Sequence, residues 1–149
     1  MHACSALRLT TLPVQPAVDP FMDTLRPAVR QLVVALRCGD AGLMRERLRI
    51  RRSATNICVM CTAGACEDLQ HLLLACPAYD GARRSLMQSL PAEARRVWDR
   101  MTDKGRMQAL LFLPAGAPIP TVIAAAVTTF LSRVWSTRAA HVLPWSRLV

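Results

Sequence analysis

Apolar residues return every three or four positions through most of this chain and rarely alternate, so the pattern predicts helices with no competing strand. The first sustained period begins at Asp23. Leu25, Val29, Leu32, Val33 and Leu36 fall on one helical face, Pro27 sits in the first turn where its missing N–H costs nothing, and Cys38-Gly39-Asp40 closes the segment. A second, shorter helix is expected around Leu43, Met44 and Leu48. From Tyr79 to Leu90 the period reappears at Leu86 and Leu90, and Pro91 followed by Glu93 restarts a helix carrying Val97, Trp98 and Met101. Met107, Leu110 and Leu111 suggest a further short helix before a proline-rich break from Pro114 to Pro120. The longest helix follows. Val122, Ile123, Ala126, Val127, Phe130, Leu131, Val134 and Trp135 form its apolar face, with Thr128, Thr129, Ser132, Arg133 and Ser136 opposite.

Residues 1 to 22 contain Pro13, Pro16 and Pro20 without any sustained period and read as a loose leader. Residues 23 to 149 then form one mainly α domain, with a metal-clipped loop at 58 to 76 and a helical tail from 79 to 149. The chain shows neither internal repeat nor low-complexity tract. With 149 residues, 52% hydrophobic and 19% charged, it is long and apolar enough to bury a modest core. Arg8 interrupts the apolar character of the first twelve residues, which therefore lack the continuous core of a signal peptide. The most membrane-like stretch, Ala109 to Leu131, is divided by Pro114, Pro118 and Pro120 into pieces shorter than the roughly 20 residues a span requires. The expectation is an intracellular protein, nuclear or cytoplasmic, without membrane contact.

Six cysteines in such a chain point to metal or free thiols rather than disulfides, because the cytosol and nucleus keep thiols reduced. Four candidate ligands are ordered as Cys58-Val59-Met60-Cys61, nine residues, His71, four residues, Cys76. Two thiolates separated by two residues can grip one metal from a tight turn, because the intervening backbone presents amides toward the sulfurs. The second pair is harder to place. Glu67 to Ala75 reads helical, and positions 71 and 76 would diverge by about 140° on a straight α-helix. Pro77 supplies a break, since the residue before a proline is pushed out of the helical region, which would let Cys76 turn back toward the metal. Three thiolates and one imidazole close a tetrahedral zinc shell, leaving no position for water or substrate. One structural Zn2+ is therefore expected. Its net charge of about −1 would be offset by nearby arginines, with Arg51, Arg52, Arg83 and Arg84 as candidates. Cys66 lies between the pairs and could replace Cys61 or His71; the reading preferred here is a free thiol. The alternative for the whole set is four residues of a reduced core. Cys4 and Cys38 read as ordinary thiols, and His2 and His141 lack ligand-spaced partners.

Formal charge adds a second theme. The net value is +9, and Lys104 is the only lysine. Arg45, Arg47, Arg49, Arg51 and Arg52 crowd the approach to Cys58, and Arg83 and Arg84 follow Cys76, so a polyanionic partner held through phosphates is a natural reading. The same run could be a solvated helix face, and a GC-rich coding sequence would also enrich Arg, Ala and Pro. Arg95, Arg96 and Arg100 read as that solvated kind. Trp98 and Trp135 lie on apolar faces and read as core, and Tyr79 is expected to pack against the loop rather than stack on a base.

The same residues resemble a family. Leu36-Arg37-Cys38-Gly39, the arginine-rich run, Cys58-x2-Cys61, Glu67-x3-His71-Leu72-Leu73-x2-Cys76-Pro77-x-Tyr79 and Arg83 are similar to the zinc-binding region that follows the polymerase in non-LTR (LINE-like) retrotransposon reverse transcriptases. Leu110-Leu111 and Phe130-Leu131-x3-Trp135-x2-Arg138 resemble the helical tail of those polyproteins, which extends the similarity from about Leu25 to Arg138. Departures are Cys66 before Glu67, and Asp68 where Thr or Ser is more frequent. The resemblance implies a CCHC knuckle that helps engage RNA or target DNA during target-primed reverse transcription. It does not imply polymerisation: the chain has no Tyr-x-Asp-Asp motif, no paired-carboxylate arrangement and no nuclease signature, and so looks like a detached C-terminal piece without enzymatic activity. Its expected partners are RNA or DNA, a reverse transcriptase core or a second copy, with no small-molecule substrate. A protein-interaction module merely stabilised by zinc is the alternative.

Overall fold

A computed structural model describes residues 22–23, 25–51, 53–112 and 121–141. Residues 1–21, with His2 and Cys4, and also Arg52 and the proline-rich break, therefore lie outside the described residues, whereas Met22, the last residue of the expected leader, is helical and packs against the core. Among the described residues the α-helices of defined extent are, in order, α1 Pro27–Cys38, α2 Met44–Arg49, α3 Asp80–Ser89, α4 Ala92–Arg100, α5 Asp103–Phe112 and α6 Thr121–His141. Between α2 and α3 lies the loop carrying the cysteines. It contains one turn of π-helix, His71–Ala75, and a 3-10 turn, Pro77–Tyr79. The result is a small, mainly α domain. Among the described residues no strand forms beyond an isolated antiparallel bridge between Ile57 and Cys66.

The termini of α1 follow from its sequence. Pro27 opens it, and Gly39, at φ 68°, closes it. The Gly39 amide donates to the Leu36 carbonyl at 3.4 Å and the Asp40 amide to the Ala35 carbonyl at 2.8 Å, the paired bonds of a Schellman closure that needs a left-handed residue. Leu25, Val29, Leu32, Val33 and Leu36 are all buried, so the apolar period does select the inner face. α2 is too short to show a period. Leu43 and Met44 are buried at its start, whereas Leu48, read from the sequence as apolar face, is exposed.

α3 packs along α6, and α1 contacts both α5 and α6. One hydrophobic cluster runs through them and includes Leu36, Leu86, Leu111, Phe130 and Val134 together with Cys58, Leu72, Leu73, Cys76 and Tyr79. The cysteine loop thus contributes to the core rather than hanging from it. Trp98 and Trp135 are partly buried against this cluster. Two expectations fail on the periphery. Val97 is 52% exposed and α4 buries no residue fully, while Val122 at the start of α6 also faces out. α4 bears Arg95, Arg96 and Arg100 on exposed positions, as a solvated helix would. No helix among the described residues is long and apolar enough to cross a membrane.

One basic residue is spent on holding helices together. Arg37 Nε donates to the Leu111 carbonyl at 2.7 Å, its Nη2 donates to the same oxygen, and its guanidinium lies 4.5 Å from the centroid of the Phe112 ring. A carbonyl in the last turn of a helix has no intrahelical donor, so Arg37 satisfies the end of α5 from α1.

Candidate metal centre

The segments on either side of Cys58-x2-Cys61 are held as a short antiparallel pair. Cys58 donates its amide to the Ala65 carbonyl at 2.8 Å, and Glu67 donates to the Asn56 carbonyl at 2.7 Å. Gly64 makes the turn between them at φ 64°. Inside the turn the Met60 amide points at Cys58 Sγ, 3.4 Å away, which is the amide-to-sulfur arrangement expected of a two-residue thiolate grip.

The second half solves the spacing of His71 and Cys76 in a way the sequence did not reveal. The Cys76 amide donates to the His71 carbonyl at 2.7 Å, an i to i+5 bond that widens the turn into a π-helix. Widening turns the residue five positions on back toward the first, so the divergence expected of an α-helix is much reduced. Pro77 acts as expected on the next link: Cys76 leaves the helix at φ −64°, ψ 120°. Asp68 starts the turn by accepting the His71 amide on Oδ1 at 2.8 Å. A side-chain oxygen that accepts an amide of the first turn is the ordinary cap of a helix, and Asp68 supplies it here.

These two halves bring all four expected ligands together. The ligand atoms of Cys58, Cys61, His71 and Cys76 lie within 4.8 Å of one another and can hold a metal ion. Cys58 Sγ stands 3.8 Å from Cys76 Sγ, and Cys61 Sγ stands 3.4 Å from His71 Nε2. Tetrahedral bonds of about 2.3 Å to sulfur and about 2.0 Å to nitrogen would separate two thiolates by about 3.8 Å and a thiolate and imidazole by about 3.5 Å. The observed edges fit that geometry. Cys58, His71 and Cys76 are buried, and Cys61 is half-buried at the rim.

Burial decides the protonation of the metal-free site. It pushes the Cys58 thiol up and, aided by the neighbouring Cys58, raises Cys76 to about 12, while it pushes the His71 imidazolium down against the opposing pull of Asp68 and Glu67. A raised thiol stays protonated at neutral pH, and each bound proton competes with the metal. His71, with its pKa lowered, remains neutral above its ordinary range and adds no proton there. Affinity for a divalent metal ion is therefore expected to rise about a hundredfold per pH unit between about pH 6.5 and 8, from the two buried thiols alone. Competition against a chromophoric chelator, corrected for the chelator's own protonation, measures the slope; a flat profile would contradict the buried thiols.

Cys66 is outside the four. It stands opposite Ile57 in the bridge, and Ile57 is exposed, whereas Cys58, one residue on, points inward. Strand alternation thus turns Cys66 away from the ligand side. The free-thiol expectation is corrected, because Cys66 is disulfide-bonded. Cys38 is a free, exposed thiol.

The arginines separate into groups. Arg49, Arg51 and Arg84 are exposed, and Arg47 is half-exposed. Arg45 lies 3.6 Å from Asp68 and so is partly neutralised at the rim of the site. Arg83 turns inward: Nη2 donates to the Cys76 carbonyl and to Asp80 Oδ1, which removes it from the expected phosphate-contacting set. Tyr79 is 2% exposed and packs behind Cys76, so its ring is not offered to a base. His141 Nδ1 lies 2.9 Å from the Thr137 carbonyl on the exposed end of α6.

Sequence reasoning missed the largest polar contact. Glu67, 0% exposed, and Arg138, 4% exposed, form a two-pronged ion pair at 2.8 and 2.9 Å. Glu67 Oε2 also accepts the Met44 amide at 2.7 Å, and Arg138 Nη2 donates to the Gly42 carbonyl at 3.0 Å. The pair ties the metal loop, the start of α2 and the end of α6 together. A signal was present: Arg138 continues the Val127, Leu131, Val134 stripe of α6, and an arginine on an inward stripe demands a buried acid.

Comparisons with protein-family models, curated proteins and solved structures find no match to this chain.

Proposed function

We propose that the chain is a zinc-stabilised nucleic-acid-binding module. The observation that carries this reading is the closed Cys3His cluster, which leaves no coordination site for chemistry, set beside exposed arginines at the end of α2 and on α3. Cys58, Cys61, His71 and Cys76 would hold the ion, whose bonds fix the loop. Arg49, Arg51 and Arg84 then offer guanidinium groups to phosphates, with Arg45 shared with Asp68. Recognition of this kind reads backbone charge rather than base sequence. The motif's similarity to the zinc-binding region of non-LTR retrotransposon reverse transcriptases supports the same reading and favours RNA or target DNA as the polyanion, without polymerase activity.

A fluorescence anisotropy titration tests it. Zinc-loaded protein is expected to bind single-stranded RNA and duplex DNA at low salt, with affinity falling steeply as salt is raised. On duplex DNA each phosphate contact contributes a slope of roughly −0.9 in log K against log salt, so the triple variant Arg49→Gln, Arg51→Gln, Arg84→Gln should flatten the slope by about 2 to 3. Absence of binding at low salt removes the reading.

One observation favours a second reading, a protein-interaction module. A cleft of about 420 Å³ opens between α3, α4, α5 and α6, lined by apolar residues including Leu90, Val97, Trp98, Met101 and Ile123. Docking there, on a polymerase core or a second copy, would hold or strengthen with salt, opposite to phosphate contact.

A further inference from the structure

Among the described residues, two buried side-chain polar atoms have no hydrogen-bond partner: Tyr79 Oη and Arg83 Nη1. Both belong to the segment that leaves Cys76, three and seven residues after the ligand. Both are also anchored to Cys76 by other atoms, since its carbonyl accepts the Tyr79 amide at 3.1 Å and Arg83 Nη2. A buried phenol usually finds an acceptor, and a donor left without one carries its full desolvation cost. Two such donors beside one cysteine cluster call for a shared explanation.

The cluster itself provides one. It brings three cysteine sulfurs together, and as thiols these would accept hydrogen bonds only weakly. With a metal bound they are thiolates, and a tetrahedral Cys3His zinc shell carries a charge of about −1 that needs donors around it. Tyr79 is buried in one cluster with Cys58 and Cys76, and the Arg83 guanidinium is held at the Cys76 carbonyl. Arg83 also supplies a positive charge where that shell is negative. Arg84, named from the sequence for the same duty, is exposed and does not share it.

Resting on the metal-centre reading above, we propose that Tyr79 Oη and Arg83 Nη1 are outer donors to the metal-bound thiolate shell, positioning residues whose buried donors find their acceptors on its sulfurs.

The inference makes opposite predictions for the two states of the protein. Tyr79→Phe keeps the ring and removes only the hydroxyl. In the metal-free protein it deletes an unsatisfied donor and should leave the urea midpoint equal to the wild type's or higher. In the loaded protein it deletes a hydrogen bond and should weaken zinc binding roughly tenfold or more, the usual effect of removing an outer partner. Arg83→Lys, which keeps the charge but not the fork, should fall between wild type and Arg83→Met in zinc affinity. Cobalt(II) substitution gives a readout that packing alone does not move: the thiolate-to-cobalt charge-transfer band should shift in Tyr79→Phe, because a sulfur has lost its donor. A wild-type chain that binds one zinc beside a Tyr79→Phe variant with unchanged affinity and an unchanged cobalt spectrum overturns this inference alone. A wild-type chain that binds no zinc overturns the metal reading and this inference with it.

Discussion

On the proposed zinc reading, stripping the metal, or replacing Cys58 by Ser or His71 by Ala, is expected to abolish the cooperative thermal transition or lower it by about 20 °C or more, while Cys66→Ser leaves one zinc per chain. The size of the effect follows from where the ligands sit. Cys58 and Cys76 belong to the same apolar cluster as Leu36, Leu111 and Phe130, so the loop cannot come loose without opening the core. Apart from its core contacts and the Glu67–Arg138 pair, the loop has little regular structure to close it: one isolated bridge, a single π-helical turn and a short 3-10 turn. Structural zinc contributes apparent binding free energies of about 10 to 16 kcal/mol in small domains, comparable with the entire stability of about 5 to 15 kcal/mol that such a domain possesses. Each kcal/mol is worth several degrees at this chain length, which sets the expected shift. Elemental zinc analysis with circular dichroism melting of the wild type and the three variants measures it. A zinc-free protein that melts as cooperatively and as high as the untreated one would make Cys58, Cys61, His71 and Cys76 ordinary core residues.

Much of this arrangement is legible in the sequence where local rules and tertiary packing agree. α1 is the clearest case, because five apolar residues at helical spacing, Pro27 at the start and Gly39 at the end all specify one element, and each is found in that role. The ligand set is legible for a similar reason, since the two-residue grip and the break at Pro77 are both local. Legibility fails where the outcome depends on a partner distant in sequence. Leu48, Val97 and Val122 satisfy helical spacing, yet they face out because no other element covers their side of the helix. The π-turn at His71–Ala75 is invisible to α-helical periodicity, since the inserted residue shifts the phase just where the ligands must converge. From its neighbourhood in sequence Arg83 looks like a phosphate contact. One more turn of helix brings it under Cys76 instead, where the ligand's own carbonyl takes it. Charge counting could not make that distinction, because an arginine consumed inside the fold and one offered to a partner add equally to the +9.

Arg138→Met is expected to cost about 3 to 5 kcal/mol in the zinc-loaded protein, the largest loss from any single substitution outside the metal ligands. The change removes the cation and leaves the Glu67 carboxylate with 0% exposure and no opposite charge, holding only the Met44 amide on Oε2. Glu67→Gln is the milder partner, because a neutral amide keeps one acceptor for Arg138 but not the two-pronged charge pairing seen at 2.8 and 2.9 Å. The double variant should recover part of the loss, since replacing both members of a buried ion pair removes the desolvation cost together with the attraction. Urea unfolding of the wild type, both single variants and the double variant gives the coupling directly. Zinc affinity in the same set tests whether the pair also serves the metal. Glu67 adjoins the bridge at Cys66 and is followed by Asp68, which caps the His71 turn, so slack at Glu67 is passed through one residue to a ligand. If Arg138→Met loses stability and keeps full zinc affinity, the ion pair fastens α6 to a loop that the metal alone has already shaped. If both fall together, the end of α6 is part of what builds the site.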